Sequence, residues 1–97
     1  TPGECALQEA WEEAGVKGKA YERCLGIYSY NKFIGLERGM PCVAMVYPVK
    51  VRSLADDFPE EGQRRRKWFA LKKAAAKVAE PELRQILKTF DPKLLKR

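Results

Sequence analysis

The chain has 97 residues, 45% of them hydrophobic and 33% charged, with a formal net charge of +6 at pH 7. This balance is that of a globular segment large enough for one small domain, and it excludes wholesale disorder. There is no histidine, so Ser-His and Cys-His catalysis within the chain is excluded and carboxylates are left as the acid or base groups near neutral pH.

The first element is written in residues 1–16, Thr-Pro-Gly-Glu-Cys-Ala-Leu-Gln-Glu-Ala-Trp-Glu-Glu-Ala-Gly-Val. Thr1 can cap a helix, Pro2 suits its first position, Glu4 completes a Thr-x-x-Glu capping box, and Gly15 is placed to end the helix in the left-handed conformation. At about 100° per residue, Glu9, Glu12 and Glu13 fall near 0°, 300° and 40°, while Leu7, Ala10, Trp11 and Ala14 gather on the opposite side. Like charges at these spacings destabilise a helix unless something neutralises them. A hard divalent cation would do so, since such ions prefer carboxylate oxygens and suit phosphate-bearing substrates. The plainer alternative is a solvated acidic face beside basic residues elsewhere.

Beyond the helix, Lys19 to Lys32 is rich in aromatic and aliphatic residues (Tyr21, Leu25, Ile27, Tyr28, Tyr30) and leads to a loop at Asn31 to Gly39, which predicts strands joined by a hairpin. Pro41 to Leu54 reads as a central strand, apolar on both faces at first and half exposed at its end, with Pro48 marking a bulge or lost pairing. Ser53 to Gln63 is an acidic loop, and Gln63 to Phe69 is expected to enter a short strand. Leu71 to Ala79 is helical by propensity, and Glu80-Pro81 opens another helix whose Leu83, Ile86, Leu87 and Phe90 have the spacing of a packing face. Asp91-Pro92 ends it, and residues 93–97 form a basic tail for which disorder is an option.

The stretch Gln8-Glu9-Ala10-Trp11-Glu12-Glu13-Ala14-Gly15-Val16 resembles, in register, the second half of the Nudix box, G-x5-E-x7-R-E-U-x-E-E-x-G-U, where U is aliphatic. The box arginine is Gln8 here, which leaves in question the salt bridges that orient the glutamates, and the earlier glutamate and glycine of the pattern would precede residue 1. Residues 1–92 are therefore expected to be a partial Nudix domain, an α/β/α sandwich around a mixed sheet whose N-terminal strands lie outside the chain. Residues 93–97 are its basic tail. A sheet lacking a strand exposes unpaired backbone and apolar surface, so the 97-residue piece alone is expected to melt without cooperativity or to associate, which leaves a homodimer open.

The resemblance implies a metal-dependent pyrophosphohydrolase that cleaves a phosphoanhydride with Mg²⁺ or Mn²⁺ as cofactor. Gln63 to Phe69 with its acidic loop is similar to bacterial diphosphoinositol polyphosphate and dinucleoside polyphosphate phosphohydrolases. Carried over by position, Glu9 and Glu13 match the family's metal ligands, and Glu12 matches the residue that serves as ligand or general base. A further carboxylate from a later loop sometimes assists; Glu60 and Glu61 are candidates, with Asp56 and Asp57 behind them. Tyr28, Tyr30 and Phe33 could stack a base, although their strand spacing favours the core or the sheet surface. Arg64, within the run Arg64-Arg65-Arg66-Lys67, is a candidate for a phosphate, as basic residues around an acidic metal site suit a polyphosphate.

Two alternatives stay open: a non-catalytic Nudix-like module that binds a nucleotide or a protein, and a basic nucleic-acid-binding domain. The second is disfavoured because the basic residues are spread over several elements without a recognition motif. Cys5, Cys24 and Cys42 are odd in number and lack C-x-x-C spacing, which makes reduced thiols the default, and with no signal peptide visible a cytoplasmic location is expected. No apolar run approaches the roughly 20 residues of a membrane span, so no membrane partner is expected.

Overall fold

The computed structural model describes residues 1–33 and 39–95, Phe33 by its backbone alone. It comprises two compact units, Thr1–Cys24 with Tyr47–Trp68, and Leu25–Val46 with Phe69–Arg97.

In the first unit, α1 (Pro2–Ala14) packs on an antiparallel pair of strands, β1 (Val16–Ala20) and β4 (Val49–Leu54). The helix begins as its capping residues dictate. The Thr1 hydroxyl accepts from the Glu4 N–H at 3.2 Å, and the Glu4 carboxylate lies 3.5 Å from the Thr1 nitrogen. A third partner comes from outside the helix: the Glu22 carboxylate accepts from the Gly3 N–H at 2.9 Å, placing negative charge where the helix dipole favours it. At the other end Gly15 takes φ 68° and ψ 27°, and its N–H donates to the Trp11 carbonyl at 2.9 Å. This is the left-handed stop that the sequence implied.

The register of β1 against β4 shifts between Lys17 and Gly18. A Cβ at Gly18 would run into the Lys50 carbonyl oxygen, and backbone cannot move aside as a side-chain tip can. Gly18→Ala is expected to cost about 2 kcal/mol, read as a lower thermal midpoint in the intact protein; an unchanged midpoint would mean that the two strands do not approach this closely.

The second unit holds the hairpin, β2 (Gly26–Phe33) against β3 (Gly39–Val46), paired from Gly26↔Val46 to Phe33↔Gly39. Helix α3 (Pro81–Thr89) packs on β2, with Ile86 over Gly26, and α2 (Leu71–Lys77) packs on α3. Alternation along β3 leaves Cys42, Ala44 and Val46 half-buried and Val43 and Met45 exposed. With Ile27, which pairs with Met45, these two make an apolar face exposed by 69% at Val43 and by 54–55% at the other two. The only fully enclosed aliphatic side chain among the described residues is Ala75. Calorimetry of the purified 97-residue chain tests the expectation that it associates or melts without cooperativity; one cooperative transition of a monomer overturns it.

Two expectations are corrected. Residues 41–54 are two strands, not one central strand: chain pairing breaks at Tyr47-Pro48, and β3 and β4 belong to separate two-stranded sheets. Pro48 has no N–H to give a ladder, and the flanking bonds diverge, the Leu25 N–H donating to the Val46 carbonyl and the Tyr21 N–H to the Pro48 carbonyl. Residues 63–69 form no strand; four adjacent cationic side chains are exposed there, and two of them bond elsewhere. The basic end begins with a 3-10 turn, Pro92–Leu95, in which the Lys93 N–H donates to Asp91 at 3.0 Å; residues 96–97 lie outside those described. The α/β class stands, but every strand pair among the described residues is antiparallel, so the mixed sheet is not formed within them.

Candidate functional site

Of the three carboxylates on α1, Glu9 is exposed and Glu12 and Glu13 are half-buried. The difference comes from the segment after β4, which folds back onto the C-terminal end of the helix. The Ala55 N–H donates to the Gly15 carbonyl at 2.8 Å, and the Glu60 N–H donates to the Glu12 carbonyl at 2.8 Å. Arg66 completes the attachment. Its guanidinium donates to the carbonyls of Ala14 at 3.0 Å and Ala55 at 2.7 Å and lies 5.0 Å from the centre of the Phe58 ring. A cation on the last carbonyls of a helix satisfies groups that have no partner within the helix and complements its dipole.

This attachment puts Arg64 on the acidic face. Its guanidinium pairs with Glu13 and stands 3.8 Å from the Glu60 carboxylate. Gln8, at the position of the box arginine, donates through its amide to Glu12 at 3.1 Å. Thus Glu13 is oriented by an arginine, but one 51 residues further along the chain rather than one on the same helix.

The structure therefore brings Arg64 to Glu13 and Glu60 and ties Glu60 to the backbone of Glu12, with Glu9 on the same helix within the same unit. Glu60 is the member of the acidic loop brought nearest α1; Glu61 is exposed, with its N–H on the Phe58 carbonyl, and Asp56 is fully exposed and reaches only Arg66, at 4.0 Å. Asp57 is exposed as well. Tyr28 and Tyr30 lie in the second unit, on one face of β2, with ring centres 5.9 Å apart and planes at 41°. Burial, then the Glu80 carboxylate, pushes the Tyr28 phenol above its usual pKa. The Phe33 side chain lies outside those described.

Among the described residues, no three acidic or thiol side chains lie close enough together to hold a metal ion. The donors nevertheless fit one in kind. They are carboxylate oxygens on a solvent-reachable helix face, and a cation, the Arg64 guanidinium, already lies against one of them. A groove of about 380 Å³ flanks the other side of α1, along Leu7, Gln8, Trp11 and Lys17. It follows the packing stripe and does not include Glu9 or Glu13. No two of the three cysteines are bonded to each other, and no helix among the described residues is long and apolar enough to cross a membrane.

Sequence reasoning missed Arg66 and Glu22. Both act on backbone groups at the ends of α1 across 52 and 19 residues, and a side chain that bonds to backbone so far along the chain leaves no local pattern in sequence.

Three curated proteins of Arabidopsis thaliana are similar to this chain. Nudix hydrolase 12, mitochondrial, is 35% identical over 74 residues, 73% of this chain and 36% of that protein. Nudix hydrolase 13, mitochondrial, is 34% identical over 76 residues, 73% of the chain and 38% of the relative. Nudix hydrolase 16, mitochondrial, is 31% identical over 90 residues, covering 90% and 49%. The chain thus spans half or less of the length of these relatives. No family model matches it, and no solved structure matches it.

Proposed function

We propose, since this chain belongs as a partial segment to the Nudix family, that it carries the carboxylate helix of a pyrophosphohydrolase acting on a phosphate-rich small molecule. The observation that carries this reading is the placement of Glu12 and Glu13. They follow Glu9 in box register, the helix stops at Gly15, and the Glu60–Arg66 segment is bonded onto that same end.

In this reading Glu9, Glu12 and Glu13 hold a divalent ion, Mg²⁺ or Mn²⁺, which when bound neutralises phosphate charge and acidifies bound water. Glu12 takes the proton of the attacking water. The Glu60 N–H fixes the backbone of Glu12, so the carboxylate that moves the proton sits on a turn of helix that cannot fray. Arg64 and Arg66 supply positive charge beside it, with Arg66 committed to carbonyl oxygens and Arg64 to carboxylates. The substrate class is a dinucleoside polyphosphate, a nucleoside diphosphate linked to another group, or a diphosphoinositol polyphosphate. A panel of these substrates, assayed for phosphate or nucleotide release with and without Mg²⁺, tests the reading; metal-independent release, or none from any of them, refutes it.

A second reading, a Nudix-like module that binds without turnover, is favoured by Gln8 at the arginine position, where its amide meets Glu12 in place of a guanidinium. It predicts binding of a nucleotide with no product. A cytoplasmic location is part of the proposal, whereas the relatives' names place those proteins in mitochondria. Cell fractionation decides between the two.

A further inference from the structure

We propose that Arg64 is the chain's own countercation for the acidic face of α1, and that a divalent cation must displace its guanidinium from Glu13 in order to bind. The inference rests on the reading that this face takes such a cation.

Three observations on the 55–66 segment carry it. First, the Arg64 guanidinium lies between two carboxylates from different elements, paired with Glu13 on α1 and 3.8 Å from Glu60. Second, it is held there from both sides along the chain without the help of Glu13. Glu60, four residues before it, donates its N–H to the Glu12 carbonyl, and Arg66, two residues after it, is bonded to the carbonyls of Ala14 and Ala55. The local concentration of guanidinium at Glu13 is therefore high, and entropy that a free cation would lose on binding has been lost already on folding. Third, the pair is weak enough to yield: its side chains are 54% and 40% exposed, and ion pairs this open to water contribute little.

Each observation bears on cation binding in the same direction. The carboxylate of Glu13 cannot give its oxygens fully to the guanidinium and to a metal at once. A resident positive charge also repels a second one. Arg64 thus keeps the acidic face neutralised when no metal is bound, sparing α1 the repulsion between Glu9, Glu12 and Glu13, and it sets the threshold of cation concentration above which the site loads.

The test is Mn²⁺ binding to the intact protein, followed by the paramagnetic resonance of the free ion, in the wild type and in Arg64→Gln, Arg64→Lys, Glu9→Gln, Glu13→Gln and Arg64→Gln/Glu13→Gln. Arg64→Gln is expected to tighten Mn²⁺ binding about two- to fivefold at low salt, with the gain shrinking in 0.5 M salt as screening weakens the competitor. Arg64→Lys keeps the charge and should stay within about twofold of the wild type. In the Glu13→Gln background, removing Arg64 should give less of a gain, because the shared carboxylate is gone. Unchanged or weaker binding in Arg64→Gln, with helix content retained by circular dichroism, overturns the proposal, and weaker binding shows Arg64 instead as a residue that positions Glu13. If the wild type binds Mn²⁺ but Glu9→Gln and Glu13→Gln do not weaken it, the site reading itself falls and takes this inference with it.

Discussion

Glu13→Gln is expected to lower turnover of the phosphoanhydride substrate by about 100-fold or more, with Glu12→Gln at least as damaging. Both substitutions keep the size and polarity of the side chain, so the loss reports charge. The Glu13 ion pair with Arg64 is largely open to solvent, and removing such a pair costs only about 0.2–1 kcal/mol of stability. A variant that melts near the wild type and no longer turns over separates chemistry from folding. Glu61→Gln serves as the control. That carboxylate belongs to an exposed turn whose described backbone bond runs to Phe58, and its loss should leave turnover within about twofold of the wild type. Glu60 lies between the two cases, since its carboxylate faces Arg64 and its backbone holds Glu12. Full activity in both Glu12→Gln and Glu13→Gln would remove the hydrolase reading and leave the binding module.

Gly15→Ala should be the most destabilising single change in the first unit, at about 2 kcal/mol or more. Two costs add. At φ 68° an L side chain meets its own carbonyl, a penalty of roughly 1–2 kcal/mol. The new Cβ would also sit 2.6 Å from Cδ1 of Phe58 and 2.8 Å from the Ala55 carbonyl oxygen, and the oxygen is backbone. The same two groups belong to the attachment of the 55–66 segment, because Arg66 donates to Ala55 and lies over Phe58. A lowered thermal midpoint, by about 10 °C, should therefore come with a weaker grip on Arg66 and a loss of activity larger than the stability change alone predicts. If Gly15→Ala is neutral in both measurements, the helix does not end in the left-handed cap that its sequence prescribes.

Much of α1 was legible because its signals are local. A capping residue, a proline, a glutamate three positions on and a glycine at the end act on backbone groups within one turn, and all of them appear in the structure in those roles. The same holds for α3, whose start at Pro81 and packing stripe come from spacing along one helix. The strands were read less well. The alternation of residues 41–54 carried the presence of extended chain but not its division at Pro48, because pairing partners are chosen by what lies alongside in space. For residues 63–69 a short strand was expected, but four of the seven residues are cationic, and the bonds of Arg64 and Arg66 to α1 place the segment as irregular chain.

The sequence alone determined the carboxylate face of α1, its two ends and its register with the Nudix box, since 3.6 residues per turn fix which side chains share a face. What only tertiary structure decided was the surroundings of that face: that Glu60 and not Glu61 reaches the helix, that Arg66 closes its C-terminal end, and that Arg64 meets Glu13. Those contacts join residues about 50 apart through a segment without regular structure. There the chain has no period to read, and position is set by which unpaired carbonyls and carboxylates a guanidinium can reach.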